Sequence, residues 1–481
     1  MSHSFCHQRL LQFFKVFRKV GHQVALRSSG VNANNNANGF TFLQSTFSDI
    51  NANLQTSEDK CCMFIKYYNN ISRDERAAFL RDLAKNYGIH PENVVTVAKT
   101  AVAVKDKGDV SLLASSEKLR SSLKPKFKTL FTHIGRVDGG VKFLVDCRAD
   151  VLSIKQSCTS EMDGALFQEL NIALMDLLRL WFTVGLLNLE RITWNSSCDL
   201  VQKISSYEAV HRIKTWEDIK RRVGPYRRCY IFTHNSMPGE PVVVLHTALT
   251  TDISSNIQVS SSEKTNDNLA SQHYLEKEEQ ANIKWAIFYS ITSTQKGLQG
   301  IDLGNYLIKS VVRRLQEEFP HLQNFFSLSP IPGFRDWIVS TLNHRINQHG
   351  KHLEALVPYQ NADHNSLLDT FKDQILSHTW YRDQTLQRIM SPLMRLCANY
   401  LYIQKRRNYA LNPMANFHLS NGAVLWRINF LGDTSIRGLN QSCGLMVNYR
   451  YFLDSTEANS RNYLEKQQIR ASAGVLKLLE K

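Results

Sequence analysis

From about residue 50 to residue 183 the apolar positions recur at helical spacing. Ser72-Arg-Asp-Glu75 has the form of a capping box, in which a serine oxygen and a glutamate carboxylate satisfy free amides at a helix start. Phe79, Leu80, Leu83, Ala84 and Tyr87 follow on one face, and Gly88 suits the helix end. Pro91 opens a second helix through Val94, Val95, Val97 and Ala98, and further helical runs follow Ser122 and Gly164. The most apolar stretch, Ile172 to Leu187, is interrupted by Asp176 and Arg179. Either charge near a bilayer centre would cost about 3 kcal/mol, so the stretch predicts a buried helix of a soluble domain and no membrane span.

After about Leu187 the period changes. Arg228–His234 and Pro241–Leu249 are short β-rich runs separated by a turn at Met237-Pro-Gly-Glu240. Residues 251–280 are polar, then acidic, and read as a surface loop. Next come a strand at Trp285–Thr294, a helix at Asn305–Phe319 and a strand at Asn324–Ser329. Helices return at Asp336–Leu342 and Leu386–Tyr402. The expectation is an all-helical packing or oligomerisation domain over 49–184, then an α/β or α+β domain over 185–475. A length of 481 residues leaves room for both.

The start of the chain has a different character. No Asp or Glu precedes Asp49, whereas Arg9, Lys15, Arg18, Lys19 and Arg27 do. On a helical wheel Leu10, Phe13, Phe14, Phe17, Val20 and Val24 share one face, with Lys15, Arg18 and Lys19 opposite. A basic, amphipathic, acid-free start is the pattern of a mitochondrial transit peptide. The Asn-rich run at 31–38 is low-complexity and expected to be unstructured, so 1–48 reads as transit peptide plus disordered linker. The expected destination is the mitochondrial matrix, with a shorter cytoplasmic form as the alternative. The ending Leu479-Glu480-Lys481 is no peroxisomal Ser-Lys-Leu signal.

The net charge of +15 sets a nucleic-acid surface against a site for a small polyanion. Its one dense run is Lys220, Arg221, Arg222, Arg227 and Arg228, and no zinc-finger, basic-zipper or RNA-binding signature accompanies it. A phosphorylated small molecule fits better than nucleic acid. The nine cysteines form no C-x-x-C pair and no Cys/His ligand spacing, so reduced, mostly buried thiols are expected and no metal site.

Between the expected strand and helix lies Gln295-Lys-Gly-Leu-Gln-Gly-Ile-Asp-Leu-Gly304. Gly297, Gly300 and Gly304 let the backbone approach a ligand, and the following helix aims its free amides at the loop. The spacing matches neither a Walker A loop nor a dinucleotide fingerprint. It resembles the acyl-CoA cradle of the N-acetyltransferase fold, with Asp302 where that pattern has glycine.

Longer strings narrow the resemblance. They are Arg221-Arg-Val-Gly-Pro-Tyr-Arg-Arg228, Asp252-Ile-Ser-Ser-Asn256, Phe326-Ser-Leu-Ser-Pro-Ile-Pro-Gly-Phe334, Tyr409 to Ala423 with Asn-Phe-His-Leu inside it, Trp426-Arg-Ile-Asn429 and Asn448-Tyr-Arg-Tyr-Phe452. From about residue 60 to the C-terminus the chain resembles the malonyl-CoA decarboxylase family. The resemblance implies a helical domain followed by an acetyltransferase-like catalytic domain, conversion of malonyl-CoA to acetyl-CoA and carbon dioxide, no cofactor, and a homotetramer. It implies catalytic roles for Ser329 and His418, and a CoA cradle at Gln299, Gly300, Ile301, Asp302, Leu303, Gly304 and Asn305. Ser290 and Tyr451 fall in segments that line the family's pocket.

The residues' own chemistry agrees with these roles. The thioester carbonyl is itself an electron sink, so no pyridoxal, thiamin or metal is required. His418 suits proton delivery because an imidazole ordinarily titrates near neutral pH. Ser329, at an expected strand end, can hold the leaving carboxylate or relay a proton. No G-x-S-x-G elbow surrounds it, so a covalent nucleophile is not expected. The basic run from Lys220 to Arg228 meets a CoA phosphate or forms a solvated face. Two rivals are an acyl-CoA-dependent acyltransferase of the same fold, which needs an acceptor site, and a non-catalytic acyl-CoA sensor, which loss of Ser329 or His418 would have favoured.

Overall fold

A computed structural model describes residues 35–49, 54–104, 106, 108–208, 213, 215–257, 278–301, 303–346, 376, 380–382 and 386–480. The chain forms two units: residues up to Leu144 with Asp150–Leu174, and Val145–Ala149 with Met175–Lys481.

The first unit is helical: α1 (Asn35–Asp49), α2 (Leu54–Asn70), α3 (Arg73–Tyr87), α4 (Pro91–Ala103), α5 (Asp109–Ser122), α6 (Lys126–Ile134), and parts of α7 (Gly140–Ser157) and α8 (Glu161–Trp181). The capping box forms: Glu75 N–H donates to Ser72 Oγ at 3.4 Å, and Ser72 N–H to the Glu75 carboxylate at 2.7 Å. The face read from α3 is buried at Phe79, Leu80, Leu83 and Ala84, and packs with Phe64, Tyr68 and Phe143. Helices α4 and α5 bury none of their residues and expose Val95, Val102, Val110 and Leu113.

Two expectations are corrected here. The linker was expected to run to residue 48, but Asn35–Asp49 is a helix. Its Leu43 is fully buried, Phe42 stacks on Tyr67 at 4.7 Å and Phe47 on Tyr87 at 3.8 Å. The aromatics beyond the Asn-rich run provide a docking face that its composition hides. Residues 1–34, with the transit-peptide pattern, lie outside the described residues. The run Ile172–Leu187 is not one buried helix: α8 ends at Trp181, Ile172 and Leu180 are exposed, and the chain turns through Val184–Leu186 into a strand. Leu170, Leu174 and Leu178 carry the buried stripe. No helix among the described residues is long and apolar enough to cross a membrane.

The second unit holds a seven-stranded sheet: β1 (Leu187–Ile192), β2 (Arg227–His234), β3 (Val243–Thr250), β4 (Trp285–Ser293), β5 (Asn324–Pro330), β8 (Val424–Asn429) and β9 (Met446–Tyr451), in the order β1-β2-β3-β4-β5-β9-β8. A small ribbon, β6 (Lys405–Arg406) and β7 (Tyr409–Ala410), stands apart from it. The helices are α9 (Cys198–Tyr207), α10 (Trp216–Val223), α11 (Gly304–Glu318), α12 (Phe334–Ile346), α13 (Leu386–Ala398), α14 (Pro413–Ser420), α15 (Ile436–Ser442), α16 (Thr456–Lys466) and α17 (Ala473–Lys477). The expected helical unit followed by a mixed α/β sheet is what the chain forms.

Strand alternation covers the sheet from both faces. Along β2, Cys229 and Ile231 pack with Val201 and Ile204 of α9 and Ile219 of α10, while Arg228 points the other way and binds Glu318 of α11. Adjacent strands are antiparallel except β4 and β5, which are parallel. That pairing ends at Phe288 and Ser327, although β4 runs on to Ser293 and β5 to Pro330. The two strands therefore part at their carboxyl ends. On its other edge β4 bulges at Tyr289, where the register with β3 shifts. β5 keeps its pairing with β9 past the parting, with Ser329 opposite Val447. A cleft between carboxyl ends of parallel strands is where open α/β sheets bind ligands.

Candidate active site

In the β5–β9 register Ser327 faces Tyr449, Ser329 faces Val447 and Phe325 faces Tyr451. Paired residues share a face and the period is two, so Ser327, Ser329, Tyr449 and Tyr451 all lie on one face of this ribbon. Phe326, Leu328 and Met446 point the other way, into an apolar cluster. His418 is laid over the polar face by α14. Asn412 caps that helix by accepting from Ala415 N–H at 2.9 Å, and Pro413 occupies its first turn. The other end of the Asn412 amide donates to the Pro332 carbonyl at 2.9 Å, and Tyr400 donates to the same oxygen at 3.1 Å. One fully buried asparagine thus ties the start of the histidine helix to the turn that follows Ser329.

The result is a continuous chain of polar atoms. Ser329 Oγ lies 2.8 Å from His418 Nε2 and donates to Ser327 Oγ at 3.0 Å. His418 Nδ1 lies 2.7 Å from the Tyr451 hydroxyl. The Tyr449 ring stacks on the imidazole at 4.4 Å and 19°. Exposure runs from 0% at Tyr449 to 4% at Ser329, so the chain is screened from solvent. Burial pulls His418 down to about 3 and pushes Tyr449 and Tyr451 well up. All are therefore neutral at physiological pH. This corrects the premise that the imidazole titrates near pH 7: the resting form is uncharged.

The glycine loop precedes α11. Gly300 has φ +82° and open space where a Cβ would stand, and Gln299 and Gly300 are exposed. Leu303, the residue at the N-cap of α11, has no side-chain group to cap its first amides. At Gly304 a Cβ would come within 2.9 Å of the Phe417 ring, so the start of this helix abuts the residue before His418. Ile301 is half-buried and Leu303 buried; Asp302 and the Asn305 side chain lie outside the described residues.

The remaining sequence candidates divide. Tyr451 joins the site. Ser290, on β4 beyond the parting, belongs to a different buried cluster: its hydroxyl donates to the Glu208 carboxylate at 2.8–2.9 Å, and Glu208 lies 3.6 Å from Arg222 and 3.4 Å from His246. At its two most buried positions the basic run is neither a solvated face nor free to meet phosphate. Arg222 is buried against Glu208, and Arg228 is clamped by Glu278 and Glu318 at 2.6–2.7 Å. Lys220 lies over the Trp194 ring and Arg221 is exposed. Ser327, Tyr449 and Asn412 were not singled out in the sequence. Strand parity with Ser329 and Tyr451 was the available signal for the first two; Asn412 before a proline carried a cap signal.

Two family models match the chain: the malonyl-CoA decarboxylase N-terminal domain over residues 87–182 and the C-terminal domain over 185–481. The mitochondrial malonyl-CoA decarboxylase of Mus musculus is 46% identical over 437 residues, 88% of this chain and 86% of the relative. That of Rattus norvegicus is 45% identical over 432 residues, with the same shares covered. The crystal structure of malonyl-CoA decarboxylase from Rhodopseudomonas palustris matches with a TM-score of 0.78 at 30% identity, over 92% of this chain and 99% of that one. The chain belongs to the malonyl-CoA decarboxylase family.

Proposed function

We propose that this chain converts malonyl-CoA to acetyl-CoA and carbon dioxide, with Ser329 and His418 as its proton-transfer pair. The observation that carries the reading is the buried Tyr451–His418–Ser329 chain at the parting of β4 and β5. Breaking the bond between the α-carbon and the carboxylate releases carbon dioxide and leaves the electron pair on an enolate, delocalised onto the thioester oxygen. One proton must then reach the α-carbon. Ser329 stands nearest the cleft and hands over its hydroxyl proton; His418 Nε2 refills the hydroxyl and Tyr451 supports the imidazole from Nδ1. Solvent returns one proton to the chain, so each turnover consumes one. The loop from Gln299 to Asn305, with Gly300, Ile301, Asp302, Leu303 and Gly304, holds the CoA pyrophosphate on backbone amides at the start of α11.

The exposed apolar residues of α4 and α5 support assembly into a homo-oligomer, for which a homotetramer is the expected form. The basic, acid-free start supports a mitochondrial address, in the matrix. The test of the activity is incubation of the purified chain with malonyl-CoA in heavy water. Release of carbon dioxide and acetyl-CoA with one deuterium on its methyl group is the expected result. No gas, or acyl transfer to an added amine, sinks the reading.

A further inference from the structure

The polar chain at the cleft has a direction, and a residue outside the Ser329–His418 pair sets it. A hydroxyl has one proton to give. The geometry at the two serines makes Ser329 the donor and Ser327 the acceptor, at 3.0 Å. Ser329 Oγ therefore meets His418 Nε2, 2.8 Å away, with a lone pair. The hydrogen of that contact must come from Nε2. A neutral imidazole carries one ring hydrogen, so Nδ1 is bare and accepts from the Tyr451 hydroxyl across 2.7 Å.

We propose that Ser327 is a positioning residue: by accepting the Ser329 proton at rest, it holds His418 as the Nε2–H tautomer, the form able to refill Ser329 after proton transfer. The proposal rests on the reading of Ser329 and His418 given above. Without Ser327 the Ser329 proton turns to Nε2, the ring hydrogen moves to Nδ1 and donates to Tyr451, and the same two contacts are kept in reverse. That reversed arrangement is the one that primes a serine as a nucleophile for acyl transfer. Ser327 thus keeps the pair set for giving a proton. Ser327 is 1% exposed, and its carbonyl is held separately by the Asn448 amide at 3.0 Å, so removing the hydroxyl leaves the strand's support in place.

The test uses full-length protein with ¹⁵N-labelled histidine rings. The His418 signal is identified by its loss in His418→Asn, and its tautomer is read from the ring nitrogen shifts. The wild type should show Nε2–H. In Ser327→Ala the population should move to Nδ1–H, while turnover of malonyl-CoA falls about 10- to 100-fold at unchanged KM, because the wrong tautomer forfeits much of the acid's contribution. An unmoved tautomer in Ser327→Ala overturns the proposal, and so does a moved tautomer with near-normal turnover. If His418→Asn itself turns over normally, the underlying reading of the site falls, by an experiment in which Ser327 plays no part.

Discussion

The sheet unit buries polar groups in two opposite ways. At β5 and β9 it buries Ser327, Ser329, His418 and Tyr451 as an uncharged chain, with burial holding the imidazole neutral. At β2 it buries Arg228 at full charge, 1% exposed, between Glu278 and Glu318 and over the Phe319 ring. Burial opposes both the arginine's charge and that of Glu278. The mutual hydrogen bonds outweigh it, so Arg228 is raised and Glu278 lowered from their ordinary values. A charge-compensated clamp has one stable arrangement, because separating the partners strands a buried charge. A neutral chain can exchange hydrogens among its members at little electrostatic cost. The first fixes the sheet; the second is able to move a proton.

The sharpest break of this contrast is at the neutral chain. Ser329→Ala and His418→Asn should each lower turnover by about 10²-fold or more while malonyl-CoA still binds, measured by steady-state kinetics beside calorimetry. At the clamp the effect should fall on stability. Arg228→Met leaves two carboxylates facing each other and should cost about 3–5 kcal/mol in denaturant unfolding, with turnover per folded molecule unchanged. Adding Glu278→Gln and Glu318→Gln should recover much of the loss.

Acid separates the two clusters in another way. His418 binds a proton in the unfolded chain below about 6.5 and in the folded chain only near 3. The His418 contribution to stability is therefore complete above 6.5 and falls by about 1.4 kcal/mol per pH unit as pH drops through that window. Glu278, lowered in the folded state, loses its contribution only below its ordinary value of 4.5. Between pH 6.5 and 4.5 the His418→Asn variant should have a flatter stability curve than the wild type, and an equal slope would refute the neutral resting state. Smaller effects test the flanks. Tyr451→Phe removes one hydrogen bond and should cost roughly tenfold in turnover. Gly300→Val adds a branched side chain at φ +82°, and about 1–2 kcal/mol of backbone strain plus blocked approach should weaken CoA-ester binding roughly tenfold by calorimetry.

What the sequence revealed follows the range of the forces involved. Helices such as α3 and strands β2 to β5 were legible because their signals are local: a capping box, a 3.6 period, short β-rich runs. β8, β9 and α14 were not. Met446–Tyr451 reads as a mix of apolar and polar residues, yet only Arg450 escapes full burial, and pairing with β5 gives the segment its faces. Arg228 is the clearest failure. In the sequence it belongs to a basic run, and its partners stand 50 and 90 residues away. Ser329 and His418 were singled out by their strings as candidates, but the charge state of His418 depends on a burial that no string displays. Ser327 was within reach, two residues from Ser329 on the same strand face.

The neutrality of the site has a consequence for the substrate itself. Every described hydrogen-bond partner of Ser327, Ser329, His418 and Tyr451 is uncharged. A malonyl group entering there would bring its own anionic carboxylate out of water, and none of these described partners is a cation that could meet it. Carbon dioxide, which replaces that carboxylate, is apolar and needs no such partner. For a malonyl group bound in that way, the same dry surroundings would disfavour the ionised carboxylate and accommodate its departing form, so solvation would tilt the equilibrium toward loss of the carboxylate.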